Sequence, residues 1–282
     1  MSVSIIEYKP AVTLQRYVEF YWEGQFNTIH QPQLKLQVAP NGFVELIIHL
    51  SDLHCELPVS NGWSQSPDYT IIGLYTRPYE VHFNQLVTTF GIRFKPEGIY
   101  NLFGIPASVF SENYEDMELI LGKEFREYCE QVRVSTDINQ KVILSNQYLC
   151  KQLERNHPES TYLNRAAELI RNTNGVEKID ELPNRIYISL RQLQREFKQK
   201  IGVTPKQYYR IARLNDVNRM LEKNGHIEFT KIAHDCGYAD QAHFIRDFKS
   251  IMGVNPTLFI KERHQYLVNI QRADSVEGKE CA

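Results

Sequence analysis

Thr230-Lys231-Ile232-Ala233-His234-Asp235-Cys236-Gly237-Tyr238-Ala239-Asp240-Gln241-Ala242-His243-Phe244-Ile245-Arg246-Asp247-Phe248-Lys249 reads as two short helices across a tight turn. Thr230 is placed to cap a first helix that buries Ile232 and Ala233. Gly237 stands where a left-handed residue can end it. Asp240 is a natural N-cap for a second helix, whose inner face is Phe244 and Phe248 at i and i+4. Gln241, Ala242, Ile245 and Arg246 fall off that stripe, and His243 precedes its first aromatic. A short helix pair with a polar second face describes a helix-turn-helix. Arg reads guanine edges and Gln reads adenine edges in the major groove, while a small residue can touch a thymine methyl. Taken alone, such a hairpin is equally a solvated helical turn.

The hairpin is not alone. Fifty-one residues upstream run Ser189-Leu190-Arg191-Gln192-Leu193-Gln194-Arg195-Glu196-Phe197-Lys198, then Gly202-Val203-Thr204-Pro205. The later copy ends on Gly253-Val254-Asn255-Pro256. Cap matches cap, Leu193 matches Phe244, Arg195 matches Arg246, and Phe197-Lys198 matches Phe248-Lys249. Before the turn the offset becomes fifty, pairing Leu182 with Ile232. A repeat of this kind is far more specific than either copy.

These residues resemble the AraC/XylS family of bacterial transcription regulators over roughly residues 160–262. The resemblance implies a double helix-turn-helix domain that binds double-stranded DNA sequence-specifically, as an activator by family habit, with RNA polymerase as a partner. Carried over position by position, it places DNA contacts at Arg191, Gln194 and Arg195 in the first unit. In the second it places them at Gln241, Ala242, Ile245 and Arg246. Arg195 and Arg246 can instead meet phosphates or a carboxylate such as Asp247. Two departures fall in the first unit. Pro183 replaces the small residue usual in the positioning helix, which a helix tolerates only if it starts late. Tyr187 stands opposite Gly237, so the first turn is expected to differ.

The net charge of −2 hides an asymmetry: residues 161–272 carry a net +7 and the rest −9. That is the pattern of a nucleic-acid module joined to a different domain. No apolar run long enough to cross a membrane occurs, and no secretory signal is apparent, so a cytoplasmic setting is expected. Cys55, Cys129, Cys150, Cys236 and Cys281 share no close spacing, which argues against a disulfide framework or zinc site.

The fold class expected is α+β, with a β-rich sandwich or barrel first and an all-α domain after it. Arg16–Trp22, Phe43–Leu50, Tyr69–Gly73 and Val87–Phe94 read as strands. Tyr21-Trp22, Pro40-Asn41-Gly42 and Gly91-Ile92-Arg93-Phe94-Lys95-Pro96-Glu97-Gly98 are similar to a sensor-like amino-terminal domain of some AraC-type regulators. Glu45, His49, His54, Cys55 and His82 are the candidate ligands there, but lack metal-site spacing; no metal, cofactor or catalytic group is expected. The aromatics, Trp22 and Trp63 among them, can line a pocket or simply fill the core. Residues 115–155 show helical spacing with a break at Ser135-Thr136-Asp137. That helix pair either covers the β-domain or mediates a homodimer.

The expected domains are 1–155, a linker at 156–160, a helical DNA-binding part at 161–272, and a tail at 273–282. Within the third, Ile179, Leu182 and Ile186 belong to the first positioning helix, and Ser189-x-x-Gln192 is a capping box. A long helix runs from Pro205 to about Lys223, stopped by Asn224-Gly225. At ~1.5 Å per residue it spans roughly 28 Å, enough to hold two recognition helices near the ~34 Å of one DNA turn. The amino-terminal part is read as sensing a small-molecule effector, dimerising, or both. The competing readings are an enzyme, or a protein-binding domain, targeted to DNA by the helical part.

Overall fold

The computed structural model describes residues 2–28, 34–156, 162–173, 181–223 and 228–267. The linker from residue 157, Asn174-Gly175, Ile179, Asn224-Gly225 and the tail lie outside them.

Strands β1 (Ser2–Tyr8), β2 (Val18–Asn27), β3 (Leu34–Val38), β4 (Val44–His49), β5 (Glu56–Val59), β6 (Gly62–Gln65), β7 (Tyr69–Ile72), β8 (Tyr79–Phe83) and β9 (Leu86–Phe94) open the chain. With β10 (Tyr114–Asp116) and β11 (Tyr266–Leu267) they form two sheets, ordered β1-β2-β9-β4-β7-β10 and β11-β3-β8-β5-β6. The four strands expected from sequence are β2, β9, β4 and β7, adjacent in the larger sheet. The period of two sorts their side chains. Trp22, Phe26 and Val87 face the smaller sheet and meet Leu36, Leu57, Val81 and Phe83. Tyr21, Leu46, Ile48, Phe90 and Ile92 face the helices. The architecture is a β-sandwich joined to an all-α part. The smaller sheet was not anticipated, because its strands are short and β6 is largely exposed.

Helices α1 (Gly98–Phe103), α2 (Met117–Leu121), α3 (Lys123–Val134) and α4 (Ile138–Asn156) follow. The break at 135–137 is observed, with Asp137 accepting from the Asn139 amide at 3.0 Å. The pair covers the larger sheet: Phe125, Cys129 and Val132 of α3 and Leu149 of α4 join its core. Tyr128 and Tyr148 stack at 4.3 Å, and Asn146 accepts from the Tyr21 hydroxyl at 2.8 Å.

The all-α part contains α5 (Tyr162–Asn172), α6 (Leu182–Ile186), α7 (Leu190–Ile201), α8 (Pro205–Lys223), α9 (Phe229–Asp235), α10 (Gln241–Met252) and α11 (Pro256–Lys261). The expectation that this part is helical throughout is corrected by β11, which pairs in parallel with β3, Tyr266 opposite Gln37 and Leu267 opposite Val38. The main core runs without interruption from the sandwich into α5, α6, α7 and the start of α8. A second core holds α9, α10, α11 and the rest of α8; among the described residues the sandwich contributes Ala39 to it, and Tyr266 of β11 packs against it.

Candidate nucleic-acid interface and internal cavity

The two helix-turn-helix units are built on one backbone plan. In the first, α6 ends at Tyr187, left-handed at φ 58°, and the Ile188 amide donates to the Pro183 carbonyl at 3.2 Å. In the second, Gly237 sits at φ 70° and the Tyr238 amide donates to the Ala233 carbonyl at 2.8 Å. The turns therefore do not differ as the Tyr187-for-Gly237 exchange suggested. The first keeps the left-handed shape with a side chain on it, at a cost of ~1–2 kcal/mol. Pro183 is tolerated because α6 starts at Leu182, leaving the proline in its first turn, where no helical amide bond is lost.

Each recognition helix is capped as its sequence requires. Ser189 accepts from the Gln192 amide at 3.2 Å, and Asp240 from the His243 amide at 2.6 Å. The capping box is one-sided, since the Gln192 side chain turns to the Tyr162 hydroxyl and Glu196. Thr230 does not cap α9, whose N-cap is Glu228; its hydroxyl donates to Gln241 Oε1 at 2.9 Å. That bond fixes the Gln241 amide and directs its NH2 group as the free donor. Gly202 and Gly253 close the two helices at φ 97° and 77°.

Leu193, Phe197, Phe244 and Phe248 are fully buried. Arg191, Gln194, Arg195, Gln241, Ala242 and Arg246 are exposed on the opposite faces. Arg195 has only a 3.7 Å approach to Glu196 and is 72% exposed. Asp247 is not the partner of Arg246: it accepts from Arg210 Nε at 2.7 Å and from the Tyr238 hydroxyl at 3.3 Å. Ile245 is half-buried against the second core, so it presents less surface than its place in the sequence suggested. His243 is exposed, with its ring edge-on to Tyr238.

Two arginines not singled out from sequence rivet the second unit to α8. Arg210 holds Asp247 and Ser250. Arg213 lies between the Tyr209 and Tyr238 rings at 4.6 and 4.5 Å. Their signal was the Arg-rich character of that helix, which does not separate rivets from DNA contacts.

Between the two sheets lies a cavity of about 290 Å³. Its wall is aromatic and aliphatic, with Trp22, Phe26, Ile47, Val81 and Tyr79 from the sandwich. Trp22 lies across the strand partner Gly91, where any Cβ would strike the indole at 2.0 Å. The indole NH donates to Glu45 Oε2 at 3.2 Å, and Arg93 Nε donates to Glu45 Oε1 at 2.5 Å. Burial pushes the Glu45 carboxyl up, with Arg93 pulling the other way. Thr89, on the same wall, has a buried hydroxyl with no hydrogen-bond partner among the described residues. Asn41 is also on the wall, and its backbone carbonyl accepts from Asn215 of α8 at 2.6 Å. Tyr266 and Leu267, from beyond the last helix, complete it.

Of the other candidate ligands, His49, His54 and Cys55 gather around Ser66, with the two imidazoles stacked at 4.1 Å, and His82 stands apart. His49 Nε2 lies 2.8 Å from the Ser66 hydroxyl, His54 meets Asp68 at 3.2 Å, and His82 packs under Trp63 at 3.2 Å. The Cys55 thiol, pushed up to about 11 by burial, contacts Ser66. Among the described residues no three such groups converge on a point that could hold a metal, and no helix is long and apolar enough to cross a membrane.

Comparison with known proteins adds to this geometry. Residues 182–262 match a family model described as a helix-turn-helix domain, and residues 6–116 one described as a domain of unknown function (DUF6597). The chain is 31% identical over 129 residues to the HTH-type transcriptional regulator ArgR of Pseudomonas aeruginosa, covering 45% of this chain and 36% of that one. It is 36% identical over 84 residues to the HTH-type transcriptional activator RhaS of Pectobacterium carotovorum, covering 30% and 29%. It is 25% identical over 195 residues to RhaS of Pectobacterium atrosepticum, covering 68% of each. The match thus spans about a third of the first two relatives' length. Among solved structures, ToxT from Vibrio cholerae aligns over 93% of this chain and 98% of its own at 12% identity, with a TM-score of 0.45.

Proposed function

We propose that this chain, which belongs to the AraC/XylS family of transcription regulators through its carboxyl-terminal domain, is a cytoplasmic activator that reads two adjacent major-groove segments with α7 and α10. The observation that carries this reading is the repeated unit itself. Two capped helices, each with an arginine and a glutamine on its outer face, are braced on the one rod α8. Arg191, Gln194 and Arg195 would serve one segment; Gln241, Ala242, Ile245 and Arg246 would serve the next. RNA polymerase would be its partner in activation.

The β-sandwich would hold a small-molecule effector in the cavity against Trp22, Glu45 and Arg93. The outer faces of α2, α3 and α4 would carry a homodimer, since Leu119 and Val134 stand 84% and 75% exposed there. The domain division would fall between α4 and α5, as the sequence suggested.

The test is a binding selection from genomic fragments with the full protein at near-physiological salt, because such affinities depend steeply on salt. A bipartite motif with halves ~10 bp apart is expected. A motif confined to one half would reduce the first unit to a phosphate clamp. No enriched sequence at any salt concentration would overturn the regulator reading.

A further inference from the structure

We propose that the cavity takes a neutral, mainly apolar molecule, and that the strand Tyr266–Leu267 reports its presence to the second helix-turn-helix unit alone. This rests on the reading of the β-sandwich as an effector domain, and adds the class of the ligand and the route of its signal.

The class follows from the wall. Glu45 already spends one oxygen on Arg93 and the other on the Trp22 indole. A ligand anion would set two carboxylates against one guanidinium out of water, and a ligand cation would compete with Arg93 for Glu45. A neutral molecule leaves that pair intact. Its one hydrogen-bonding group meets the unpartnered Thr89 hydroxyl, which otherwise stays buried at a loss.

The route follows from who owns the wall. Tyr266 packs on Phe259 at 4.8 Å, Phe259 on Phe248 at 5.3 Å, and Phe248 on Phe244 at 5.9 Å. Phe248 and Phe244 are the inner face of α10, whose outer face carries Gln241 and Arg246. The line of rings therefore joins the cavity to the underside of one recognition helix. Nothing of α6 or α7 reaches the cavity. The first unit meets the sandwich elsewhere, where the Ser111 hydroxyl donates to the Gly202 carbonyl at 2.9 Å. A strand of two paired residues is weakly held, so a ligand that packs against Tyr266 can shift its docking.

The experiment uses the full chain carrying Trp63→Phe, so that Trp22 is the sole indole emitter. The probes are 2-naphthol, neutral, and 2-naphthoate, its anionic counterpart. Amide hydrogen exchange is followed over 229–267 and over 182–203. Naphthol should change Trp22 emission and slow exchange in α10 and β11 by ~threefold or more, leaving α7 unchanged. Phe259→Leu, which breaks the line of rings without touching the cavity wall, should keep the emission change and lose the exchange effect; Thr89→Val should weaken naphthol binding. Equal protection of both units, or none with naphthol bound, overturns the route and leaves the cavity as a binding site. Binding of naphthoate but not naphthol overturns the class. If neither binds, the effector role of the sandwich falls as well, while the DNA selection still decides the helical units on its own.

Discussion

The two helix-turn-helix units share a backbone and differ in what holds them. The first is part of the main core: Leu182, Ile186, Leu193, Phe197 and Ile201 are continuous with the sandwich interior. It is tied further by Arg171, whose guanidinium meets the buried Glu97 at 2.8 and 2.5 Å, and by the Gly202–Ser111 contact. The second has a core of its own, and touches the sandwich through Ala39 and β11. A sequence repeat fixes caps, turns and helix faces, which are local. It does not fix what lies behind the inner face. One copy became a fixed wall of the sandwich, and the other an appendage with its own interior.

The largest effects test that difference directly. Phe197→Ala and Phe248→Ala should each cost ~3–5 kcal/mol, but in different places. Phe197→Ala should lower one transition seen alike by near-UV and far-UV circular dichroism. Phe248→Ala should split off an early transition, with limited proteolysis cutting within 229–261 first. A single shared transition in both variants would erase the contrast.

Acid should weaken the main core next. Burial, helped by His54 and Arg133, lowers His49 from 6.5 to about 3. The unfolded chain therefore binds this proton first. The stabilisation is complete above ~pH 6.5 and drains as pH falls towards 3, at ~1.4 kcal/mol per pH unit and ~5 kcal/mol in all. The sandwich, which buries His49, and the first unit, which shares its main core, should lose stability over that window. His49→Gln should flatten the slope in urea titrations of the main transition.

Smaller effects sharpen the comparison at the surface. Arg246→Ala should weaken specific DNA binding by ~1–3 kcal/mol without moving the melting temperature; full affinity in that variant would remove it from the interface. Tyr187→Gly should raise stability by ~1 kcal/mol by relieving the left-handed side chain, read as a melting shift of a few degrees. No gain would mean that Tyr187, 88% exposed, makes contacts that offset its strain.

The units were legible in the sequence because their determinants are local. Ser189 and Asp240, the glycines at 202, 237 and 253, and the paired inner residues mean the same thing in any context. The left-handed Tyr187 was missed because the backbone demand of the repeat outweighed the residue's own preference. The large sheet was legible where β-branched and aromatic runs are long, as in β4 and β9. The small sheet was not: β5 contains Pro58 and β6 is mostly exposed. Of the cavity wall the sequence marked only Trp22 as one possible pocket lining, since Trp22, Thr89, Arg93 and Tyr266 converge only through strand order and the two described residues of β11. On α7 and α10, sequence marked which residues face outward. It did not mark that Thr230 would hold Gln241, or that Asp247 would be taken by Arg210.

The corner Val38–Gly42 has an importance for modularity that its length hides. Val38 and Asn41 line the cavity, Ala39 fills the second core, and Gly42 lies under Tyr208 and Ile211 of α8 so closely that an added Cβ would stand 3.1 Å from the Tyr208 ring. Four of these five residues thus answer to three neighbours at once. If the chain is the regulator proposed above, it invites domain shuffling, in which a new input domain is grafted to an old reading head. Here the seam does not run between the domains. A graft that joins the chains between α4 and α5 would part this corner from α8 and from Tyr266–Leu267. A working hybrid would have to carry corner, rod and terminal strand from the same parent.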